Sequence, residues 1–110
     1  MKAAVFHPKA REALRAFPEE VRKDFGKAIF DLQKGYHLTM PLSRLMLEVG
    51  SGVEELRIRD SSGIYRIFYY KKSKRGILIF HAFMKKTQKT PSYEIKLGRK
   101  RLKEMFYEEK

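Results

Sequence analysis

The sequence contains no cysteine and no tryptophan, and its acidic residues are about half as many as its basic ones. Without cysteine, no disulfide bond and no thiolate metal site can form, which fits a reducing compartment. No apolar stretch approaches the length of about 20 residues that a membrane-spanning helix needs, and the apolar run near the N-terminus is too short for a signal peptide. We therefore expect a cytoplasmic protein without a membrane partner, folded as one domain over residues 1–110.

The positive charge is concentrated in the C-terminal part of the chain. Lys and Arg number 25 against 13 Asp and Glu, a net charge of +12. Between Lys71 and Lys103 twelve basic residues face one acid, Glu94. Such a field attracts polyanions, and the apolar strand pattern inside it, Ile77 to Phe83, places the charge on a folded scaffold. Because the cations are spread over strands, a turn and a helix, they favour nucleic acid over a membrane surface as the partner.

The spacing of apolar residues predicts elements in the order β-α-α-β-β-β-α. We expect a strand over 2–6, helices over 8–16 and 18–34, strands over 54–59, 64–71 and 77–83, and a last helix capped by Thr90. The connection over 36–52 is expected to be irregular, with room for a short strand at 44–48. Short turns between the last three strands predict an antiparallel meander. The fold class is therefore α+β, a small antiparallel sheet with helices packed on one face.

Three strings give the chain a family resemblance. They are ELR at 55–57, YRIFYY at 65–70 and HAFMKKTQKTP at 81–91. Together with the element order, they resemble the phage-derived, HigB-like branch of the RelE/ParE toxin superfamily of type II toxin-antitoxin systems. Members of the HigB and RelE groups are typically ribosome-dependent endoribonucleases that cut mRNA, whereas ParE members poison DNA gyrase. The fold alone does not decide between these activities, and the strings favour the HigB type.

The resemblance also implies partners. It implies mRNA on the ribosome, with contacts to ribosomal RNA, and a helix-turn-helix antitoxin of the HigA type. The toxin alone is expected to be a monomer and its antitoxin complex a hetero-oligomer. No cofactor is expected, and no metal site, since the three histidines are scattered and no paired carboxylates lie at ligand spacing. A non-catalytic RNA-binding phage accessory protein is a third alternative.

Two arginines are the candidates for binding the scissile phosphate. RNA cleavage without a metal needs a base, an acid, and cations that stabilise charge on the phosphate oxygens. Arg57 lies on the polar face of its strand, where it could equally be a solvated arginine paired with Glu55. Arg66 interrupts an apolar strand, so it must pair with Glu54 or Glu55 or face a groove that binds an anion. The resemblance makes Arg66 an active-site residue, and we expect both arginines to be catalytic.

Proton transfer is assigned to Lys85, Lys86 or His81. Adjacent cations and the start of the following helix disfavour the charged form of a lysine, which could create a base or acid near neutral pH. Two solvated lysines at the end of a strand are the alternative. His81 titrates near neutral pH, but it shares strand parity with Ile79 and Phe83, which is equally consistent with a packed core histidine.

Further contacts to RNA are expected from Arg59, Lys71, Lys72, Gln88, Lys89 and Tyr93. Tyr93 lies roughly where RelE-type toxins place a functional tyrosine, although a half-buried helix tyrosine fits the pattern better. The basic hairpin at 71–75 is expected to contact ribosomal RNA without specificity. Compared with RelE-type toxins, the strand of Arg57 lacks a clear lysine pair, and this leaves the identity of the general base open.

Overall fold

A computed structural model describes residues 1–87 and 89–108 of the protein. Its elements are β1 (Ala4–Phe6), α1 (Pro8–Arg15), α2 (Glu19–Gln33), β2 (Ser43–Leu45), β3 (Val53–Asp60), β4 (Gly63–Ser73), β5 (Gly76–Lys85) and α3 (Ser92–Glu108). The predicted element order is confirmed, with the short strand β2 placed at the start of the predicted 44–48 segment. Within the described residues, no helix is both long and apolar enough to cross a membrane.

The five strands form one sheet in the order β1-β5-β4-β3-β2. Strands β2 to β5 pair antiparallel, as the meander prediction required, but β1 runs parallel to β5, with Ala4 beside Ile77. The α+β class is confirmed, and the sheet is corrected from antiparallel to mixed. The reason is the long connection through α1 and α2, which carries the chain from one edge of the sheet to the other before the meander returns it to β1.

Helices cover both faces of the sheet, which corrects the expected arrangement on one face. One core cluster packs α2 against inward residues such as Ile67 and Tyr69, and the other packs α3 against Phe68 on the opposite side of the same strand. Strand β4 is apolar at consecutive positions, so both of its faces must be buried. Gly98 allows the close approach of α3, because a Cβ atom there would lie 2.8 Å from the Phe68 ring.

A β-bulge interrupts the pairing of β4 with β5. The register places Phe68 opposite His81 but Tyr69 opposite Ile79, so Phe80 is the extra residue. As a result Phe80 and His81 both face α3, whereas simple alternation would put them on opposite faces. The bulge thus decides on which side of the sheet His81 lies.

Candidate functional site

Arg57 and Arg66 lie side by side on the α3 face of the sheet. They are direct cross-strand partners in the β3–β4 pair. Their neighbours Leu56 and Ile67 point to the opposite face, into the core under α2. Arg66 is fully buried, and the Arg57 side chain is 16% exposed. The Cβ atoms of opposed residues on neighbouring strands are about 5 Å apart, so the two arginine side chains start from adjacent positions on one face.

A single buried carboxylate, that of Glu55, holds this arrangement together. Its Oε1 atom lies 3.2 Å from Nε of Arg44 and 3.2 Å from Nε of Arg57. Its Oε2 atom accepts a hydrogen bond of 3.1 Å from the Thr90 hydroxyl. The register of the sheet explains these contacts, since Arg44 is opposite Glu55 and Arg57 follows two residues later on the same face. A carboxylate that is fully removed from water is tolerated here because cations surround it.

Thr90 connects Arg66 to the same carboxylate. Nη1 of Arg66 donates to the Thr90 hydroxyl at 3.1 Å, and Nη2 donates to the backbone oxygen of Thr87 at 2.5 Å. Burial lowers the pKa of Arg66, and the negative charge of Glu55 opposes that shift. The predicted helix cap at Thr90 is wrong, because its hydroxyl donates to Glu55 and the helix begins at Ser92.

We call Arg44, Arg57, Arg66, Glu55 and Thr90 the arginine cluster. Three guanidinium groups and one carboxylate give the cluster a formal charge of +2. Two grooves reach it. Arg44 and Thr90 line one of about 820 Å³, together with Lys89, and Arg57 lines another of about 410 Å³, together with Arg59. Fixed cations that are partly shielded from water attract an anion more strongly than solvated ones, so the arginine cluster can bind a phosphate.

His81 is packed beside the arginine cluster and is only 2% exposed. Arg101 lies 2.8 Å from its Nδ1 atom, and Glu94 lies 2.8 Å from its Nε2 atom. A guanidinium group only donates, so Nδ1 accepts and Nε2–H donates to Glu94. Burial lowers the pKa of His81 despite the neighbouring carboxylate of Glu94. The structure thus favours the packed alternative for His81. Of the two residues expected on its face, Phe83 is there, with its ring stacked on His81 at 5.1 Å, whereas Ile79 lies on the opposite face.

The two lysines at the end of β5 have different surroundings. Nζ of Lys85 lies 3.8 Å from Oε2 of Glu94, and its side chain is partly exposed. Lys86 is exposed and lines a depression with Arg59 and Met84. Among the described residues, no carboxylate lies within ion-pair distance of Lys86. Lys86 therefore has the more accessible amine of the two lysines.

The residues predicted to bind RNA divide into two groups. Arg59 and Lys89 are exposed and line the two grooves that reach the arginine cluster. Tyr93, in the first turn of α3, is 68% exposed, so its half-buried interpretation is wrong. Lys71 instead pairs with Glu54 at 3.2 Å on the other face of β4, and Lys72 lies in the same distant hairpin. Lys71 is about 17 Å from Arg66 along the strand, at about 3.3 Å per residue. Gln88 lies outside the described residues.

Sequence reasoning missed Arg44 and the linking role of Thr90. Arg44 falls in a segment with little periodicity, and β2 contains only three residues. One signal was available in the sequence. Glu55 lies in a strand that becomes buried, and a buried carboxylate needs neighbouring cations, which could have pointed to an arginine beyond Arg57. Within residues 1–87 and 89–108, no group of three or more His, Asp or Glu side chains could hold a metal ion.

The described fold is that of a known toxin structure. The crystal structure of the isolated RelE toxin from E. coli superposes with a TM-score of 0.57 at 19% sequence identity, covering 90% of this chain and 98% of that chain. No curated protein matches the sequence. The family described as "Phage derived protein Gp49-like (DUF891)" matches residues 12–103. The chain therefore belongs to the Gp49-like family of phage-derived proteins and has a RelE-like fold.

Proposed function

We propose that this protein is the toxin of a type II toxin-antitoxin system, a ribosome-dependent endoribonuclease of the HigB type that cuts mRNA and stops translation. The observation that carries the proposal is the arginine cluster, which places Arg57 and Arg66 side by side around one carboxylate. Membership of the phage-derived family, the RelE-like fold and the +12 charge support it. The HigB type rests on the three strings of the sequence.

The proposed reaction is attack by a ribose 2′-OH on the adjacent phosphorus. The bond from O2′ to phosphorus forms and the bond from phosphorus to O5′ breaks. The products are a 2′,3′-cyclic phosphate and a 5′-OH end. Arg57 and Arg66 stabilise the additional negative charge of the transition state, and their bonds within the arginine cluster fix them before the substrate arrives. This charge stabilisation by guanidinium groups is what makes a metal-independent reaction possible here.

Proton transfer is proposed for Lys86. It either takes the proton of the 2′-OH or returns one to the leaving O5′ atom, and its exposed position beside Arg59 leaves its amine accessible. Lys85 is ranked second because its ammonium group is 3.8 Å from the carboxylate of Glu94, whereas Lys86 has no such neighbour among the described residues. His81 is proposed to act through packing, since both of its ring nitrogens have partners in the fold.

The proposed RNA contacts follow from the distribution of charge, and the proposed antitoxin follows from the family resemblance of the sequence. Arg59, Lys89 and Tyr93 contact the mRNA near the cut, and the basic hairpin with Lys71 and Lys72 contacts ribosomal RNA. A helix-turn-helix antitoxin of the HigA type neutralises the toxin in a hetero-oligomeric complex in the cytoplasm, and the free toxin is a monomer.

The test compares Arg66→Ala, Arg57→Ala and Lys86→Met with an exposed control, Arg11→Ala, which lies on α1. We expect wild type and Arg11→Ala to arrest growth and to give cuts within codons when translated messages are mapped by primer extension. In the three site variants the rate of message cleavage is expected to fall by at least about 100-fold, which is the usual contribution of a positioned acid, base or oxyanion donor.

Thermal unfolding shows whether each variant remains folded, which matters most for the buried Arg66. Folded Arg57→Ala and Arg66→Ala proteins that still cut translated messages would refute the assignment. A DNA-damage response without message cleavage would indicate a gyrase poison. Tight RNA binding without a growth effect would indicate an accessory protein.

A further inference from the structure

A depression of about 410 Å³ lies beside Arg57 and has an unusual mixture of walls. Its lining residues are Met40, Pro41, Leu42, Arg57, Arg59 and Ile64. A second depression shares Arg59 and Ile64 with it and extends to Lys86 at the end of β5. None of the residues lining either depression belongs to a helix. This end of the sheet thus presents a partly apolar surface next to cations.

The path of the chain before β2 builds the apolar wall. Ser43, the first residue of β2, pairs with Leu56. The backbone N–H of the next residue on β3, Arg57, donates to the carbonyl oxygen of Leu42 at 2.9 Å, so the pairing extends beyond β2 toward the preceding loop. Residues 40–42 therefore run along the outer edge of β3. Arg57 and Arg59 project from the same face of that strand, because they are two residues apart. Met40 is 64% exposed, so its side chain is accessible to a ligand.

We propose that this depression binds a nucleobase of the RNA next to the phosphate held by the arginine cluster, an inference that rests on the proposed function. Met40, Pro41 and Leu42 offer aliphatic and thioether surface, and a methionine adapts its flexible chain to the face of a ring. Arg59 offers a planar cation that stacks on a base or donates hydrogen bonds to its edge. The adjoining phosphate supplies negative charge beside the guanidinium group of Arg59.

A segment of a partner protein fits this surface less well. An apolar peptide would cover the aliphatic wall but would remove water from the exposed Arg59 without supplying a negative charge, which is costly. A nucleotide satisfies both halves of the depression at once. The base bound here would then influence which sequences are cut.

The first experiment measures binding of short single-stranded RNAs by fluorescence anisotropy. Each RNA carries one 2′-deoxynucleotide at the cutting position, which removes the attacking hydroxyl, and one abasic nucleotide at a varied neighbouring position. We expect wild type to lose about two- to tenfold in affinity when one particular base is missing, the range of a sulfur–ring contact. Met40→Ser is expected to bind the complete RNA correspondingly more weakly and to lose the distinction. The control is Leu47→Ser, because Leu47 is 66% exposed and lines neither depression.

The second experiment maps the cut sites of the same three proteins, and of Arg59→Gln, on translated messages. A changed frequency of bases beside the cut in Met40→Ser and Arg59→Gln, with Leu47→Ser unchanged, supports the proposal. Equal binding of complete and abasic RNAs by wild type overturns it, even where growth arrest and cutting uphold the proposed function. If wild type cuts no message, the proposed function fails, and the abasic series still decides whether a base binds here. Weaker antitoxin binding by Met40→Ser with unchanged RNA binding assigns the depression to a protein and also overturns the proposal.

Discussion

Replacing Thr90 by valine tests whether the arginine cluster is one bonded unit. The Thr90 hydroxyl donates to Oε2 of Glu55 at 3.1 Å and accepts from Nη1 of Arg66 at 3.1 Å. Both partners are fully buried, and valine has nearly the shape of threonine. The change therefore removes these two hydrogen bonds, and a longer one of 3.5 Å from Nη2 of Arg44, without opening a cavity. Hydrogen bonds to charged groups contribute about 1.5–3 kcal/mol each. Allowing for partial relaxation, we expect the free energy of unfolding to fall by about 2–4 kcal/mol.

Denaturant unfolding measures the effect, and two substitutions serve as controls. Thr90→Ser retains the hydroxyl and is expected to recover most of the stability. Thr87→Val removes an exposed hydroxyl whose one hydrogen bond within the described residues goes to the Lys89 carbonyl at 3.4 Å, and it should change stability by less than about 0.5 kcal/mol. We also expect Thr90→Val to lower RNA cleavage about tenfold to hundredfold, because Arg66 is no longer held in place. A Thr90→Val protein as stable as the Thr87→Val protein would refute the bonded unit.

Two further predictions concern packing and pH. Gly98→Ala places a methyl group against the Phe68 ring and should destabilise the protein by about 1–3 kcal/mol. Its control is Gly26→Ala on the exposed side of α2, where the added Cβ meets no atom within 4 Å and should stabilise the protein by about 0.5–1 kcal/mol. Equal effects of the two substitutions in thermal unfolding would contradict the packing of α3 on β4. Burial lowers the pKa of His81 in the folded state, so the unfolded chain binds the additional proton first. The contribution of His81 to the free energy of unfolding is therefore fully present above the histidine pKa of the unfolded chain, about 6.5, and is lost as the pH falls below that value. Urea unfolding at pH 7.5 and 5.5 should show a smaller loss for His81→Gln than for wild type, and an equal loss would show that His81 does not titrate in this way.

Part of the candidate site was predictable because the reasons are local. Arg66 stands in an apolar strand, and a buried guanidinium group needs partners, which the structure supplies through Thr90 and the Thr87 carbonyl. The prediction that Arg57 could pair with Glu55 is confirmed by their 3.2 Å contact. The predicted N-cap role of Thr90 was wrong, because its pattern, a threonine before a proline and a helical stretch, fits a cap and says nothing of a distant carboxylate.

The location of Arg44 was not predictable from the sequence. Its strand has three residues and follows an irregular connection, so no alternation marks which of its side chains point to the α3 face. Its pairing with Glu55 depends on the register between β2 and β3, and a shift by one residue would turn Arg44 to the other side of the sheet. The same limit applies to Lys71, whose charge suggested RNA binding but whose partner is Glu54 on the other face.

The sequence by itself determined the elements, because helix and strand periodicities are properties of neighbouring residues. It also determined the α+β class, the meander of β3 to β5 and the concentration of positive charge beyond Lys71. Only the packing of distant segments places α3 on the second face and, through a bulge, turns His81 away from the Ile79 face. It also brings Arg44 and Arg57 to Glu55 and links Arg66 to the same carboxylate through Thr90. Those outcomes depend on register and on packing between distant segments, which a local pattern of residues does not contain.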